Sequence, residues 1–332
     1  MKESEIRPEA LTRRYLELSA EDAERCFAGS PRAAVPCVAC GASDLGFAFE
    51  KNGFPYSVCR GCGTLLQSPR PPLAAFEAFY RDSVSSRFWA NEFFPAVAEP
   101  RREKIFRPRV ERLAGLCAEA GVPVSELVEV GAGYGIFLDE WRKRFPETRL
   151  LAIEPGAALA AECRAKGFEV VEDVVENVVG HCGQADLVVC FEVLEHVYSP
   201  LAFLQCLSGL ARPGGYVCVT TLGVDGFDIQ LLWERSNSIF PPHHINFLSV
   251  EGFHRLFERA GLKDAQVTTP GVLDVDIVRN AARQDPSVLD GQRFVRQLLA
   301  DDERAVAFQR FLSQHSMSSH TWVIGRRPSQ AE

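Results

Sequence analysis

With 332 residues, 46% of them hydrophobic and 24% charged, the chain has room for two domains and the composition of an ordinary soluble protein. Its 44 acidic and 36 basic residues leave a net charge of −8, the wrong sign for gripping a phosphate backbone, which argues against RNA or DNA as a partner. The charged N-terminus, Met1 to Arg7, has no apolar stretch of signal-peptide length, and no run is long enough to span a bilayer, so a cytoplasmic protein is expected.

Residues 1–36 read as a helical extension, followed by two Cys-x-x-Cys knuckles, Cys37/Cys40 and Cys59/Cys62, each trailed by glycine and separated by 18 residues. Four thiolates in that pattern close tetrahedrally on zinc, leaving no open coordination position, so the metal is expected to supply folding energy to a zinc ribbon spanning 37–68. Phe47, Phe49, Phe54 and Tyr56 fit short ribbon strands that pack against little else. The other seven cysteines lie mostly singly in apolar segments and read as reduced thiols.

Residues 69–112 read as linker and lid helices. Pro69-Arg-Pro-Pro72 is a stiff connector, Leu73 to Tyr80 has the spacing of a short amphipathic helix, and Tyr80 to Trp89 is rich in aromatic and hydroxyl groups. That stretch is expected to cover the site, with Tyr80 reaching into it, or else to be an aromatic stripe on the core. Arg101 to Arg112 carries six basic and two acidic residues and reads either as a seat for a substrate phosphate or as a solvated helix face.

Residues 113–270 form the expected core. Glu126-Leu-Val-Glu-Val130 predicts a strand that runs into Gly131, Gly133 and Gly135, and Ile136 to Phe145 predicts the helix leaving that turn. The third glycine comes too early for the dinucleotide fingerprint, and no Gly-Lys-Ser/Thr follows to cradle a triphosphate. Further strands are predicted at Leu150 to Glu154, Phe168 to Val171, Ala185 to Phe191 and Tyr216 to Leu222, with a helix at Leu201 to Ala211. A long connection, Gly223 to Ser249, carries Trp233 and Phe240-Pro-Pro-His243-His244-Ile-Asn246-Phe247, ahead of a helix at Val250 to Ala260. Asp264 to Thr269 and Thr321 to Arg326 predict strands six and seven, the last inserted antiparallel between five and six. Within the C-terminal segment 271–332, Asp274 and Asp276 would share a face of any strand, where they either hold a sugar's hydroxyls or are simply solvated; helices are predicted at Gly291 to Leu299 and Glu303 to Ser313.

Glu129-Val-Gly-Ala-Gly-Tyr-Gly135 resembles the first motif of class I S-adenosylmethionine-dependent methyltransferases, and the downstream order of elements agrees. The resemblance implies an α/β fold, a doubly wound, Rossmann-like, seven-stranded methyltransferase sheet preceded by the zinc ribbon. It implies S-adenosylmethionine held by Glu129, Gly131, Gly133 and Gly135, with Glu154 on the ribose, Asp173 on the adenine side, Phe191 packed on the adenine, and Glu192, Glu195 and His196 near the methionine moiety. The Phe240 to Phe247 segment is similar to one in deoxysugar C-methyltransferases, which also carry a four-cysteine zinc ribbon and use a histidine as base. His244 matches that histidine; His243 stands in place of a glutamate, Pro241 in place of a tyrosine, and the large C-terminal domain of those enzymes is missing. The resemblance therefore makes His244 the expected base, with His243 and Tyr80 in support, and the partner a small polar molecule such as a nucleotide-linked or phosphorylated sugar, methylated on oxygen, then carbon, then nitrogen in order of preference. A metal held by the histidine pair lacks a third ligand nearby in sequence. An RNA base methyltransferase runs against the net charge, and a non-catalytic scaffold runs against the intact glycines and Glu154. The sequence says nothing about oligomeric state.

Overall fold

The computed structural model describes residues 1–329. Its main sheet is seven-stranded: β4 (Glu126–Val130), β5 (Arg149–Ile153), β6 (Glu169–Val171), β7 (Ala185–Phe191), β8 (Ala211–Leu222), β10 (Lys263–Thr268) and β11 (His320–Arg326), in the order β10-β11-β8-β7-β4-β5-β6. The five strands from β8 to β6 are parallel, and β11 lies antiparallel between β8 and β10, as the sequence predicts. Every residue of β7 is buried, as the unbroken apolar run of a central parallel strand requires. Alternate side chains fill two cores: Val128, Val188 and Val217 face one, and Leu127, Leu187 and Cys218 the other.

A second sheet is antiparallel, in the order β1 (Leu45–Lys51), β2 (Phe54–Cys59), β3 (Leu65–Gln67) and β9 (Asn246–Phe247). Its last strand belongs to the long connection after β8, so the cysteine ribbon and that connection are one structural unit. The expectation that the ribbon aromatics pack against little is wrong. Phe49, Phe54 and Tyr56 share a core with Phe27, Phe76, Phe79, Ile245 and Phe247, because the helices Glu9–Phe27 and Leu73–Asp82 cover this sheet; Phe47 alone of the four is exposed, at 72%. On the other side, Ser249 caps the helix Val250–Arg259 by accepting from the Gly252 amide at 2.8 Å. That helix presses on the knuckles so closely that a Cβ at Gly252 would come within 2.3 Å of Thr64 Oγ1.

From Val84 to Glu119 the chain is almost continuously helical, interrupted by wide turns at Trp89–Phe93 and Arg102–Phe106. The C-terminal segment differs from the expectation: Asp274–Gln284 is a helix, and Asp274 is buried, accepting from Ser318 Oγ at 2.5 Å, the Ser319 amide at 2.7 Å and Gln309 Nε2 at 2.7 Å. Neither a strand pair of aspartates nor a sugar-binding edge is formed there, since Asp274 is consumed in fastening the start of β11. Among the described residues no helix is long and apolar enough to cross a membrane.

Candidate active site

The carboxyl ends of β4, β5, β7 and β8 converge on one edge of the sheet, the place where an open α/β fold binds its ligands. The glycine turn after β4 has positive φ at Gly131, Gly133 and Gly135, but each for its own reason. A Cβ on Gly131 would meet Val193 Cγ2 at 2.7 Å, and one on Gly135 would lie 3.0 Å from Cys163 Sγ, so both are demanded by packing. At Gly133 a Cβ would find nothing within 4 Å, so this backbone faces open space. Glu154, at the end of β5, accepts from the Gly133 amide at 2.8 Å and the Gly156 amide at 2.9 Å, and burial nevertheless raises its carboxyl above the ordinary range.

Glu129 is 3% exposed, and its Oε2 is buried without a hydrogen-bond partner among the described residues. Burial raises its carboxyl well above the usual range, against the pull of Arg109. A buried acceptor left unpaired beside a glycine that opens onto space fits a ligand with donors to give, as S-adenosylmethionine has in its amino group and ribose hydroxyls.

Glu192 has a positive φ of 55° at the tip of β7 and sends Oε1 to Arg109 Nη2 at 2.5 Å, Thr220 Oγ1 at 2.7 Å and His320 Nε2 at 3.1 Å. Burial disfavours its charge, yet His320 and Arg109 outweigh burial and hold the carboxyl well below the usual range. The Phe191 ring sits edge-on to Phe137 at 4.7 Å with the Arg109 guanidinium 4.7 Å above it. Asp173 is exposed and spends Oδ1 on the Val174 amide and Asn177 Nδ2, closing a local turn.

The long connection brings its histidines to the same edge. Backbone amides of Ile245 and Asn246 donate to the Glu195 carbonyl at 2.8 and 3.2 Å, pinning this loop to the end of β7. His244 Nδ1 lies 2.7 Å from the Ser238 carbonyl, which can only accept, so Nδ1 carries the proton and Nε2 keeps its lone pair. The His196 and His244 rings meet at 4.6 Å, and Tyr80 Oη lies 3.3 Å from His196 Nδ1. Glu195, His196 and His244 each present one ligand atom, all within 4.8 Å of one another. Of the histidine pair only His244 joins this cluster; the other two groups, Glu195 and His196, come from the loop after β7.

Protonation states follow from enclosure. Burial pushes His196 down to about 4 and His244 well below its ordinary value, so both are neutral at pH 7. Burial and the nearby Glu192 charge push Glu195 up to about 8; Thr221 Oγ1 donates to its Oε2 at 2.7 Å. His243 is a different case. Ser85 Oγ donates to Asp22 Oδ2 at 2.7 Å and therefore accepts from His243 Nε2 at 2.9 Å, which ties His243 to the N-terminal helix. Asp22, Ser85, Arg109, Thr220, Thr221, Ser238 and His320 carry no pattern that singles them out in the sequence; only the fold assembles them. Arg102 and Arg107 meet Glu140 at 2.5 and 2.9 Å, and Lys104 meets Glu5 at 2.5 Å, so most of the basic run is neither a phosphate seat nor a free face.

The Sγ atoms of Cys37 and Cys62 are 3.5 Å apart, as are those of Cys40 and Cys59, and all four lie within 4.8 Å of one another. Tetrahedral zinc with Zn–S near 2.3 Å requires S–S separations of roughly 3.8 Å, so the four thiols fit one such ion.

Residues 98–267 match the family described as a methyltransferase domain, which covers half of the chain. The chain belongs to that family. This methyltransferase is 30% identical over 171 residues to the ubiquinone biosynthesis O-methyltransferase of Cronobacter sakazakii, covering 47% of its own length and 66% of that protein. It is 32% identical over 162 residues to the corresponding enzyme of Escherichia coli O157:H7, covering 46% and 62%. The chain therefore spans less than two thirds of the length of these relatives. Among solved structures, a SAM-dependent methyltransferase from Thermotoga maritima superposes with a TM-score of 0.47 at 15% identity over 72% of this chain and 99% of that one. The plantazolicin methyltransferase BamL gives 0.49 at 14% identity over 75% and 94%.

Proposed function

We propose that the enzyme moves a methyl group from S-adenosylmethionine to a hydroxyl oxygen of a small polar acceptor, with nucleotide-linked or phosphorylated sugars and related biosynthetic intermediates as the acceptor class and a carbon acceptor next in order. The observation that carries this reading is the free Nε2 of a neutral His244, held beside Glu195 and His196 at the sheet edge that also bears the glycine turn. Relatives whose printed activity is O-methylation support oxygen over carbon.

When bound, S-adenosylmethionine supplies an electrophilic methyl on a positively charged sulfur. Gly133 would admit the ligand close to the backbone, the unpaired Oε2 of Glu129 would take an N–H from its amino group, and Glu154 would offer its remaining lone pairs to the ribose hydroxyls. Asp173 and Glu192 flank the adenine and methionine ends. His244 Nε2 would accept the acceptor's hydroxyl proton, while Tyr80 and His196 would orient the acceptor. Zinc on Cys37, Cys40, Cys59 and Cys62 would hold the ribbon, and through β9 the loop that bears His244.

A second reading of His244 rests on its closeness to Glu195 and His196: the three hold a divalent cation that activates the acceptor oxygen. Restoration of turnover by Mg²⁺ or Mn²⁺, and not by Zn²⁺, after exhaustive dialysis would favour it. The main reading is tested by mass spectrometry of products formed from isotopically labelled S-adenosylmethionine and a panel of nucleotide-linked and phosphorylated sugars. Label in none of them, with the cofactor bound, would exclude this acceptor class.

A further inference from the structure

Five of the six cations between Arg101 and Arg112 have partners: Arg102 with Asp139 at 2.8 Å, Lys104 with Glu5 at 2.5 Å, Arg107 with Glu140 at 2.9 Å, Arg109 with Glu192 at 2.5 Å, and Arg112 with Thr268 Oγ1 at 3.0 Å. Arg101 has no carboxylate partner among the described residues. Its one hydrogen bond runs from Nη2 to the Ile6 carbonyl at 3.3 Å, and its Nε is buried without a partner. A guanidinium so enclosed ordinarily has a counter-charge, because stripping it of water is otherwise uncompensated.

The position of this side chain gives the missing charge an address. The guanidinium lies 5.1 Å from the Trp89 ring centre and 5.5 Å from that of Phe94. Phe94 in turn stacks at 4.8 Å on Tyr134, the residue between Gly133 and Gly135. Arg101 therefore stands over the outer wall of the glycine turn. Glu192 and Arg109 lie within electrostatic reach, and Arg109, 6% exposed, likewise has a buried Nε without a partner among the described residues. Burial, then the like charges of Arg7 and Arg109, lower Arg101 to about 9 against the pull of Glu192, and Glu192 is already paired with Arg109. The aromatic faces restrict the guanidinium to one plane, which favours two parallel hydrogen bonds to a flat or tetrahedral oxyanion.

We propose that Arg101 seats an anionic oxygen group, a phosphate or a carboxylate, carried by the acceptor away from the hydroxyl that is methylated. This rests on the acceptor lying between the glycine turn and the His244 loop, as in the function proposed above.

The test is calorimetric. The protein is saturated with S-adenosylhomocysteine and then titrated separately with inorganic pyrophosphate and with succinate, so that the two arms distinguish a phosphate seat from a carboxylate seat. The expected result is binding of at least one probe, weakened about tenfold or more by Arg101→Gln and retained in part by Arg101→Lys, with S-adenosylhomocysteine affinity unchanged in both variants. Wild-type protein that binds S-adenosylhomocysteine but neither probe, or Arg101→Gln protein that binds them like wild type, overturns the proposal. Loss of S-adenosylhomocysteine binding by the wild type would instead overturn the function on which it rests. Labelling of the unmutated protein with phenylglyoxal, read by peptide mass spectrometry, gives a check free of folding effects: the bound probe should protect Arg101, and undiminished labelling would refute the seat.

Discussion

The hydroxyl of Tyr56, in the second strand of the cysteine ribbon, donates to the backbone carbonyl of His244 at 2.6 Å. Both groups are buried, and the residues lie 188 positions apart in the chain. The bond runs alongside the pairing of Leu65 with Phe247 and of Leu66 with Asn246, so the ribbon's sheet ends in residues two and three positions after the histidine. The ribbon thus fixes the height and direction from which His244 approaches the sheet edge, while Ser238 fixes the rotation of its ring.

Replacing Tyr56 by Phe removes the donor and leaves a buried carbonyl unpaired. A loss of about 1–3 kcal/mol in unfolding free energy is expected, with turnover reduced more than cofactor affinity. Urea unfolding beside steady-state kinetics checks both; unchanged turnover would mean that His244 does not depend on the ribbon for its placement.

Zinc removal should act on the same loop. One zinc per chain is expected by metal analysis, and its chelation should lower amide protection not only at residues 37–68 but also at residues 245–248, because those amides belong to the shared sheet and its flank. Protection lost in the ribbon alone would show that the two move independently.

The glycine turn separates packing from binding. Both positions have positive φ, so valine strains the backbone at either; Gly131→Val adds a clash with Val193 and should destabilise the fold more, whereas Gly133→Val carries the backbone strain alone and should fail to bind S-adenosylhomocysteine, since its side chain would project into open space where the ligand lies. Thermal unfolding and calorimetry on the two variants decide it. Equal cofactor affinity in wild type and Gly133→Val would remove Gly133 from the site.

Acid should weaken the protein through His243. Burial pushes this imidazole down to about 3, below its ordinary value near 6.5, so the folded state resists a proton that the unfolded chain accepts. The associated stability is complete above pH 6.5 and is lost as pH falls toward 3. One such proton corresponds to a slope of about 1.4 kcal/mol per pH unit, and His243→Gln should flatten the decline between pH 6 and 4 by roughly that amount. Parallel stability curves for the two proteins would show that His243 is protonated elsewhere or not at all.

The repeating parts of the fold are legible in the sequence because they obey short-range rules. Val128 and Val130 lead into three glycines, Ala185 to Phe191 is an unbroken apolar run, and two cysteine knuckles announce themselves by spacing. What escapes is contact between distant segments. Nothing in Asn246-Phe247 marks it as the fourth strand of a sheet begun at Leu45, and nothing in Asp22 or Ser85 predicts that they hold His243. The contacts of Phe191 with Phe137 and Arg109 are hidden for a related reason, since they join segments far apart in the chain. Glu195 and His196 are visible as a pair, yet their closeness to His244 depends on two backbone hydrogen bonds that no periodicity encodes.

The central claim is that His244 is the base of a methyl transfer. Its most direct test is the initial rate of label transfer from isotopically labelled S-adenosylmethionine to the acceptor found by product screening, for wild type and His244→Ala side by side, with S-adenosylhomocysteine affinity measured on both. General-base catalysis is typically worth about 10²–10⁴-fold, so His244→Ala should lose turnover on that scale while binding the cofactor like wild type. Wild-type rates in His244→Ala protein across the pH range would contradict the account and return the search for a base to Tyr80, Glu195 and His196.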